Sequence, residues 1–312
     1  MKISIITGSR GQDGTYLIKL LKSKGYEIHE CTCDILDKEE IFNMIKAYEN
    51  YDEIEIYNLA ARVNVGLTPE DHVYTFNTNS LGILNIMDSV NQLGIKDKCK
   101  IFQASSSEIF DKRDTTLRNE KSSRNPQTIY GISKYTADMF VNMYRDVYGL
   151  HVSTGILFNH ESPIRKDKFV TQKIIKGLRD IFDKKREYIE LGNIDVRRDW
   201  GHAQDYVEAM WLILQQETPG DYVISSGETH TIREFIETAV NIHGKDIQWL
   251  GSGMNEVGII DNMPIIKISH EFYRPYDNNL LVGNPYKIKH DLGWNPRFTF
   301  SDIIKDMITN LV

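Results

Sequence analysis

The chain is poor in cysteine and in long hydrophobic runs, and it has no excess of positive charge. Its three cysteines, Cys31, Cys33 and Cys99, make no disulfide framework, and an odd count suits a reducing compartment. The longest apolar runs, such as MWLIL at 210–214, are far too short to cross a bilayer, so no membrane partner is expected. The formal net charge of −7 leaves no basic footprint for nucleic acid. An anionic ligand must therefore be met by local Arg and Lys rather than by the overall field. The N-terminus runs straight into a strand-like segment with no leader-type apolar core, so cytoplasmic residence is the expectation. HECTCD sets His29, Cys31 and Cys33 on one face of a strand. With no fourth ligand at zinc spacing they read as buried small side chains, and no metal is expected.

What is present is an ordinary globular balance. Of the 312 residues, 41% are hydrophobic and 26% charged, enough for a large core in two closely joined lobes. Apolar strand-like runs alternate with helical patterns. KISIITG precedes a helix from about Asp13, YEIHECTC one near 38–48, and EIEIYNLAA one near 72–94; CKIFQAS precedes a helix from about Tyr130, and HVSTGILF follows it. Such alternation predicts an α/β fold, a Rossmann-type doubly wound parallel sheet. From about 160 the alternation breaks into segments rich in Asn, Pro and Arg. The expected division is a dinucleotide-binding domain over 1–160, re-entered near 195–226, and a smaller C-terminal substrate lobe from 161–194 and 227–312. Thr231 and Glu234 have the spacing of a helix capping box.

TGSRGQDG, between the first strand and first helix, places Gly8, Gly11 and Gly14 three apart. Glycine there permits a tight turn and lets backbone N–H groups approach a pyrophosphate, whose charge suits a helix N-terminus. Asp34, about twenty residues on, can hold the adenosine ribose, lie beside the adenine, or cap the next helix. Arg10, inside the turn, either forks onto a ribose 2′-phosphate, which favours NADP over NAD, or is a solvated loop arginine.

IYGISKY puts Tyr130 and Lys134 four apart on one helix face. A phenol titrates near 10, too high for a base at neutral pH; a neighbouring ammonium favours its ionised form. Ser106 follows a central strand, where doubly wound folds open onto their ligand crevice. Glu108, two residues further, faces the same way if the backbone stays extended. It is either a solvated loop acid or an additional acid–base group that simple hydride transfer does not need.

TGSRGQDG, QASSSE, YGISK, GILFNHESP, FVTQKI, LGNIDVRRDWGHAQDYVEAMW and FYRP…GNPYKIKHDLGWNP together resemble the GDP-mannose 4,6-dehydratases, extended short-chain dehydrogenases/reductases, over nearly the whole chain. The resemblance implies a lyase (hydro-lyase) that holds NADP and turns GDP-mannose into GDP-4-keto-6-deoxymannose, in the nucleotide-sugar metabolism that serves GDP-fucose biosynthesis. It also implies roles for particular residues. Catalysis falls on Ser106 (where the family has threonine), Glu108, Tyr130 and Lys134. Cofactor contacts fall on Gly8, Arg10, Gly11, Gln12, Asp13, Asp34, Ile35, Leu59, Ala60, Ala61, Arg62, Tyr74, Tyr130, Lys134, His160 and Arg165. Besides Ser106 and Glu108, nucleotide-sugar contacts fall on Thr68, Asn159, Lys173, Arg198, Arg274 and Asp277.

Departures from the family matter. A long segment after the second strand, whose paired arginines reach the NADP phosphate and a neighbouring subunit, is missing, since EIHECTCDILD runs directly on. Arg10 and Arg62, in place of threonine and glutamine, can restore the lost charge, and a homodimer is expected rather than a tetramer. Asp277 stands where the family has a glutamate that holds the GDP ribose. Two other readings remain: a sugar-nucleotide epimerase or 4-keto reductase of the same superfamily, and a non-catalytic dinucleotide-binding regulator.

Overall fold

β1, Lys2–Thr7, is buried along almost its whole length, as a strand covered on both faces must be. It belongs to a computed structural model that describes residues 2–63, 68–111, 113–272 and 280–312. The chain continues through α1 (Gln12–Ser23), β2 (Glu27–Glu30), α2 (Lys38–Lys46), β3 (Glu53–Asn58), α3 (Pro69–Leu93), β4 (Cys99–Ala104), α4 (Ile129–Tyr148) and β5 (His151–Leu157). After β6 (Asn159–Glu161), α5 (Val170–Phe182), β7 (Ile189–Leu191), β8 (Arg197–Arg198) and β9 (Trp200–His202) come α6 (Ala203–Gln215) and β10 (Asp221–Ile224). The remainder is β11 (His230–Thr231), α7 (Ile232–Ile242), β12 (Gln248–Leu250), β13 (Val257–Ile260), β14 (Met263–Ile268), β15 (Leu280–Leu281), α8 (Tyr286–Leu292) and α9 (Phe300–Thr309).

By its packing the chain divides into two units. The first comprises Met1–Phe158, Ala203–Ser225 and Gly283–Asn295. Its six-stranded sheet has the order β10-β5-β4-β3-β1-β2, and every pairing is parallel. Successive β1 side chains serve opposite faces. Ile3 and Ile5 join a core with α2, α3 and α4, while Ile6 joins one with α1, α6 and α8. β3 lies against β1 on the side away from β2, so the chain reverses direction across the sheet between β1 and β3. In doubly wound sheets that switch point is where the crevice opens. No strand follows β2 before α2, which leaves β2 as a four-residue edge with Glu27 and Glu30 exposed.

The helices start and stop for local reasons. Asp37, not Asp34, caps α2 by accepting from the N–H groups of Glu39 and Glu40. Thr68 caps α3 with Pro69 in its first turn, and Thr128 caps α4 by accepting from Gly131 N at 3.0 Å. Gly94 and Gly149 end α3 and α4 in the left-handed region.

The second unit comprises Asn159–His202, Ser226–Val282 and Pro296–Val312. A sheet in the order β12-β13-β14-β7 packs with α5, α7 and α9 around Leu178, Ile236, Ile266 and Ile304. The capping box at Thr231 and Glu234 starts α7.

Candidate active site

The glycine turn is closed by sterics. Gly8 has φ +68°, and a Cβ there would lie 2.8 Å from Ala60 N and the Leu59 carbonyl carbon. A Cβ on Gly14 would meet Gly8 O at 2.5 Å and Ser9 Cα at 2.6 Å. The turn therefore sits directly on the residues that follow β3, at the switch point. Gly11 is the N-cap of α1 and supplies no side-chain oxygen to the helix's first N–H groups, which suits an end that receives an anion. Arg10 is exposed on this turn, and Asp13 lies in the first turn of α1.

Behind the turn runs a buried polar row. Thr7 Oγ1 accepts from Ala60 N at 3.1 Å and donates to Asn58 Oδ1 at 2.7 Å. Asn58 Nδ2 donates to Gln103 Oε1 at 2.7 Å, and Gln103 Nε2 donates to Ala104 O at 3.1 Å. Ala104 O also accepts from Lys134 Nζ at 2.7 Å. Three strand ends are thus wired together, and the lysine of the YGISK stretch closes the row. Lys134 is 2% exposed. Burial pushes its ammonium down to about 8 against the opposing charges of Asp138 and Asp13.

The backbone past β4 does not stay extended. Ser107–Ile109 forms a 3₁₀ turn that Ser106 caps, its Oγ accepting from Glu108 N at 3.3 Å. Ser106 and Glu108 are consequently linked by a turn rather than by strand alternation, because the hydroxyl competes for a nearby N–H. Ser106 is buried and Glu108 half-buried. A Cβ on Gly131 would fall 2.5 Å from Glu108 O. Only glycine lets the first turn of α4, which carries Tyr130, rest on the Glu108 backbone. Ser106, Glu108, Tyr130 and Lys134 are therefore gathered around the end of β4.

Other expected residues of the first unit flank this centre. Asp34 Oδ1 accepts from Leu36 N at 3.0 Å, and Ile35 packs on Gly82 of α3. Asn79 of α3 accepts from Arg62 N at 2.8 Å and donates to Ser133 Oγ at 3.0 Å, joining the end of β3 to α4. The Arg62 guanidinium lies 3.2 Å from Asp71 and 4.6 Å from the Tyr74 ring centroid. Asn79 carries no sequence signature, and the Thr7–Asn58–Gln103 row shows in the sequence only as polar residues interrupting apolar strands. In the second unit, Asn159 and His160 lie on β6. Arg165 lies 3.2 Å from Glu161, which also accepts from Thr171 at 2.7 Å. Lys173 on α5 lies 3.4 Å from the Phe272 ring centroid, and Arg198 is on β8. Arg274 and Asp277 lie outside the described residues. Among the described residues no group of three His, Cys, Asp or Glu side chains could hold a metal ion, and no helix is long and apolar enough to cross a membrane.

Solved structures share this fold. RMD from Pseudomonas aeruginosa complexed with NADPH superposes with a TM-score of 0.83 at 20% identity, covering 99% of this chain and 98% of that one. The UDP-glucose 4-epimerase of Thermus thermophilus, complexed with NAD, gives 0.79 at 21%, covering 99% and 98%. A glycine turn at the sheet's switch point and a serine–tyrosine–lysine set past β4 place the chain in the extended short-chain dehydrogenase/reductase class. The family model described as GDP-mannose 4,6 dehydratase matches residues 30–307. Proteins of that name from Drosophila melanogaster, Dictyostelium discoideum and Homo sapiens are 37%, 37% and 35% identical, over 98% of this chain and 85%, 95% and 90% of their own lengths. The chain belongs to the GDP-mannose 4,6-dehydratase family.

Proposed function

We propose that the chain is an NADP-dependent lyase that converts GDP-mannose to GDP-4-keto-6-deoxymannose and water, with Ser106, Glu108, Tyr130 and Lys134 carrying the chemistry. The seating of Tyr130's helix turn on the Glu108 backbone, beside Lys134 and Ser106, supports this reading most directly. The uncapped start of α1 and the close-packed Gly8 and Gly14 fit a dinucleotide pyrophosphate, and Arg10 supplies a guanidinium for a 2′-phosphate. When bound there, NADP supplies the hydride acceptor for C4 oxidation and the donor that reduces C6.

The residues do the proton work. The Lys134 ammonium favours an ionised Tyr130, which takes the proton of the C4 hydroxyl while Ser106 orients it. Once C4 is a ketone, the C5 proton is acidic enough for Glu108 to remove. Glu108 then returns a proton to the departing C6 hydroxyl, so that water leaves; as C6 is reduced, the proton held by Tyr130 passes to C5, which restores both groups. Asn159, Lys173 and Arg198, with Arg274, Asp277 and Thr68, are assigned to the GDP-sugar, His160 and Arg165 to the cofactor. Glu108→Gln should keep cofactor and GDP-mannose binding yet lose 4-keto product formation by a factor of roughly a hundred or more. Unchanged turnover removes Glu108 from the mechanism. Failure of the wild-type protein to form a 4-keto product from GDP-mannose without added reductant would favour an epimerase or reductase instead.

The functional assembly is proposed to be a homodimer. Ile132, Met139, Met143 and Val147 are 40–70% exposed along one face of α4, which packs beside α3 and its exposed Val73. Two such faces could bury one another in an isologous contact. Three free cysteines among the described residues accord with a cytoplasmic enzyme.

A further inference from the structure

Asp138 is a fully buried carboxylate that the chemistry above does not use. It lies one turn beyond Lys134 on α4, at 2% exposure. Its Oδ2 accepts from Ser105 Oγ at 2.7 Å, while among the described residues its Oδ1 has no hydrogen-bond partner. Ser105 directly precedes Ser106, and its own N–H is held by Gly155 O at 2.9 Å. Arg124, in the segment before α4, approaches Oδ2 only to 3.9 Å and stands at the same distance from Asp221 of β10. Asp221 is bound more closely by Arg145, at 2.8 Å. Among the described residues the carboxylate is thus pinned between β4 and α4 without a close cation of its own.

We propose that Asp138 is a positioning residue for the Tyr130–Lys134 pair, clamping the end of β4 to α4 through Ser105 and supplying the negative charge that keeps the buried Lys134 in its ammonium form. The proposal rests on the reading of Tyr130 and Lys134 as the reacting pair. The groups that face it pull in both directions, and burial outweighs them. Burial pushes Asp138 up to about 7, helped by Asp221 and opposed by Ser105, Arg124 and Lys134. Asp138 and Asp13 are the charges that hold Lys134 up against burial. Asp138 is then neutral in mild acid and charged above neutrality, where Lys134 most needs the support.

The test is the pH profile of kcat on GDP-mannose for wild type and Asp138→Asn, with KM followed in parallel. The two should converge near pH 6, where wild-type Asp138 already carries a proton. They should diverge above about 7, with the variant's alkaline limb moved down by roughly one pH unit and a loss of about tenfold at pH 8.5. Ser105→Ala, which strips the carboxylate of the hydroxyl that donates to it at 2.7 Å, should move the limb the same way by less. A constant ratio at all pH values, or unmoved alkaline limbs, overturns the proposal. If Asp138→Asn does not fold, Ser105→Ala carries the same two outcomes. Tyr130→Phe separates the layers. Retained turnover there overturns the assignment of the pair and the proposal with it; lost turnover beside a constant wild-type/variant ratio overturns the proposal alone.

Discussion

Replacing Lys134 by methionine should make the protein more stable while abolishing turnover. Lys134 is 2% exposed, and burial lowers its folded value from 10.5 to about 8. That gap of about 2.5 pH units corresponds to about 3 kcal/mol by which the folded state at neutral pH is disfavoured, because it must hold an ammonium away from water. The sign follows from the depressed value. The cost is complete below about pH 8, shrinks as pH rises, and is gone above 10.5, where the unfolded chain also releases its proton. Methionine fills a similar volume without the charge. The hydrogen bond to Ala104 O is lost, but that carbonyl still accepts from Gln103, so the loss is about 1 kcal/mol. A net gain of about 2 kcal/mol should raise the melting temperature of the ligand-free protein by a few degrees at pH 7, and the advantage should narrow toward pH 10. Denaturation of both proteins at the two pH values checks it. A Lys134→Met protein that melts below wild type at pH 7, or a difference that ignores pH, would refute the reasoning. The expected result would mark Lys134 as a residue kept for its chemistry against the interest of the fold.

Gly14→Ala should cost about 1–3 kcal/mol and most of the dinucleotide affinity, since its Cβ would meet backbone at 2.5 Å; melting and cofactor titration report both. Met143→Glu, on the exposed face of α4, should convert a dimer to monomers by light scattering, and a wild-type tetramer or an unaffected dimer would contradict the proposed contact.

Much of the first unit is legible in the residue pattern, because parallel strands buried on both faces are continuous apolar runs and their helices are periodic. The glycine turn can be placed from spacing since its sterics are local. The order of strands cannot: nothing in EIHECTCDILD says that β2 will end a sheet, and only the pairing of β1 with β3 reveals it. Strand alternation suggests one relation between Ser106 and Glu108, yet a hydroxyl capping the next turn sets another, a competition between backbone states that spacing does not resolve. The helix-capping role open to Asp34 falls instead to Asp37, because only the latter reaches the N–H groups of Glu39 and Glu40. Asn79 acts through Ser133, tens of residues away, so no local pattern announces it.

The short acidic rim at β2 has a bearing on how copies of this protein can meet. A sheet that stops there presents few unpaired peptide groups, and two carboxylates repel any identical strand brought alongside. Growth by strand addition is therefore closed off at that border, and association is steered toward helical faces, where contacts between two copies can satisfy each other and end.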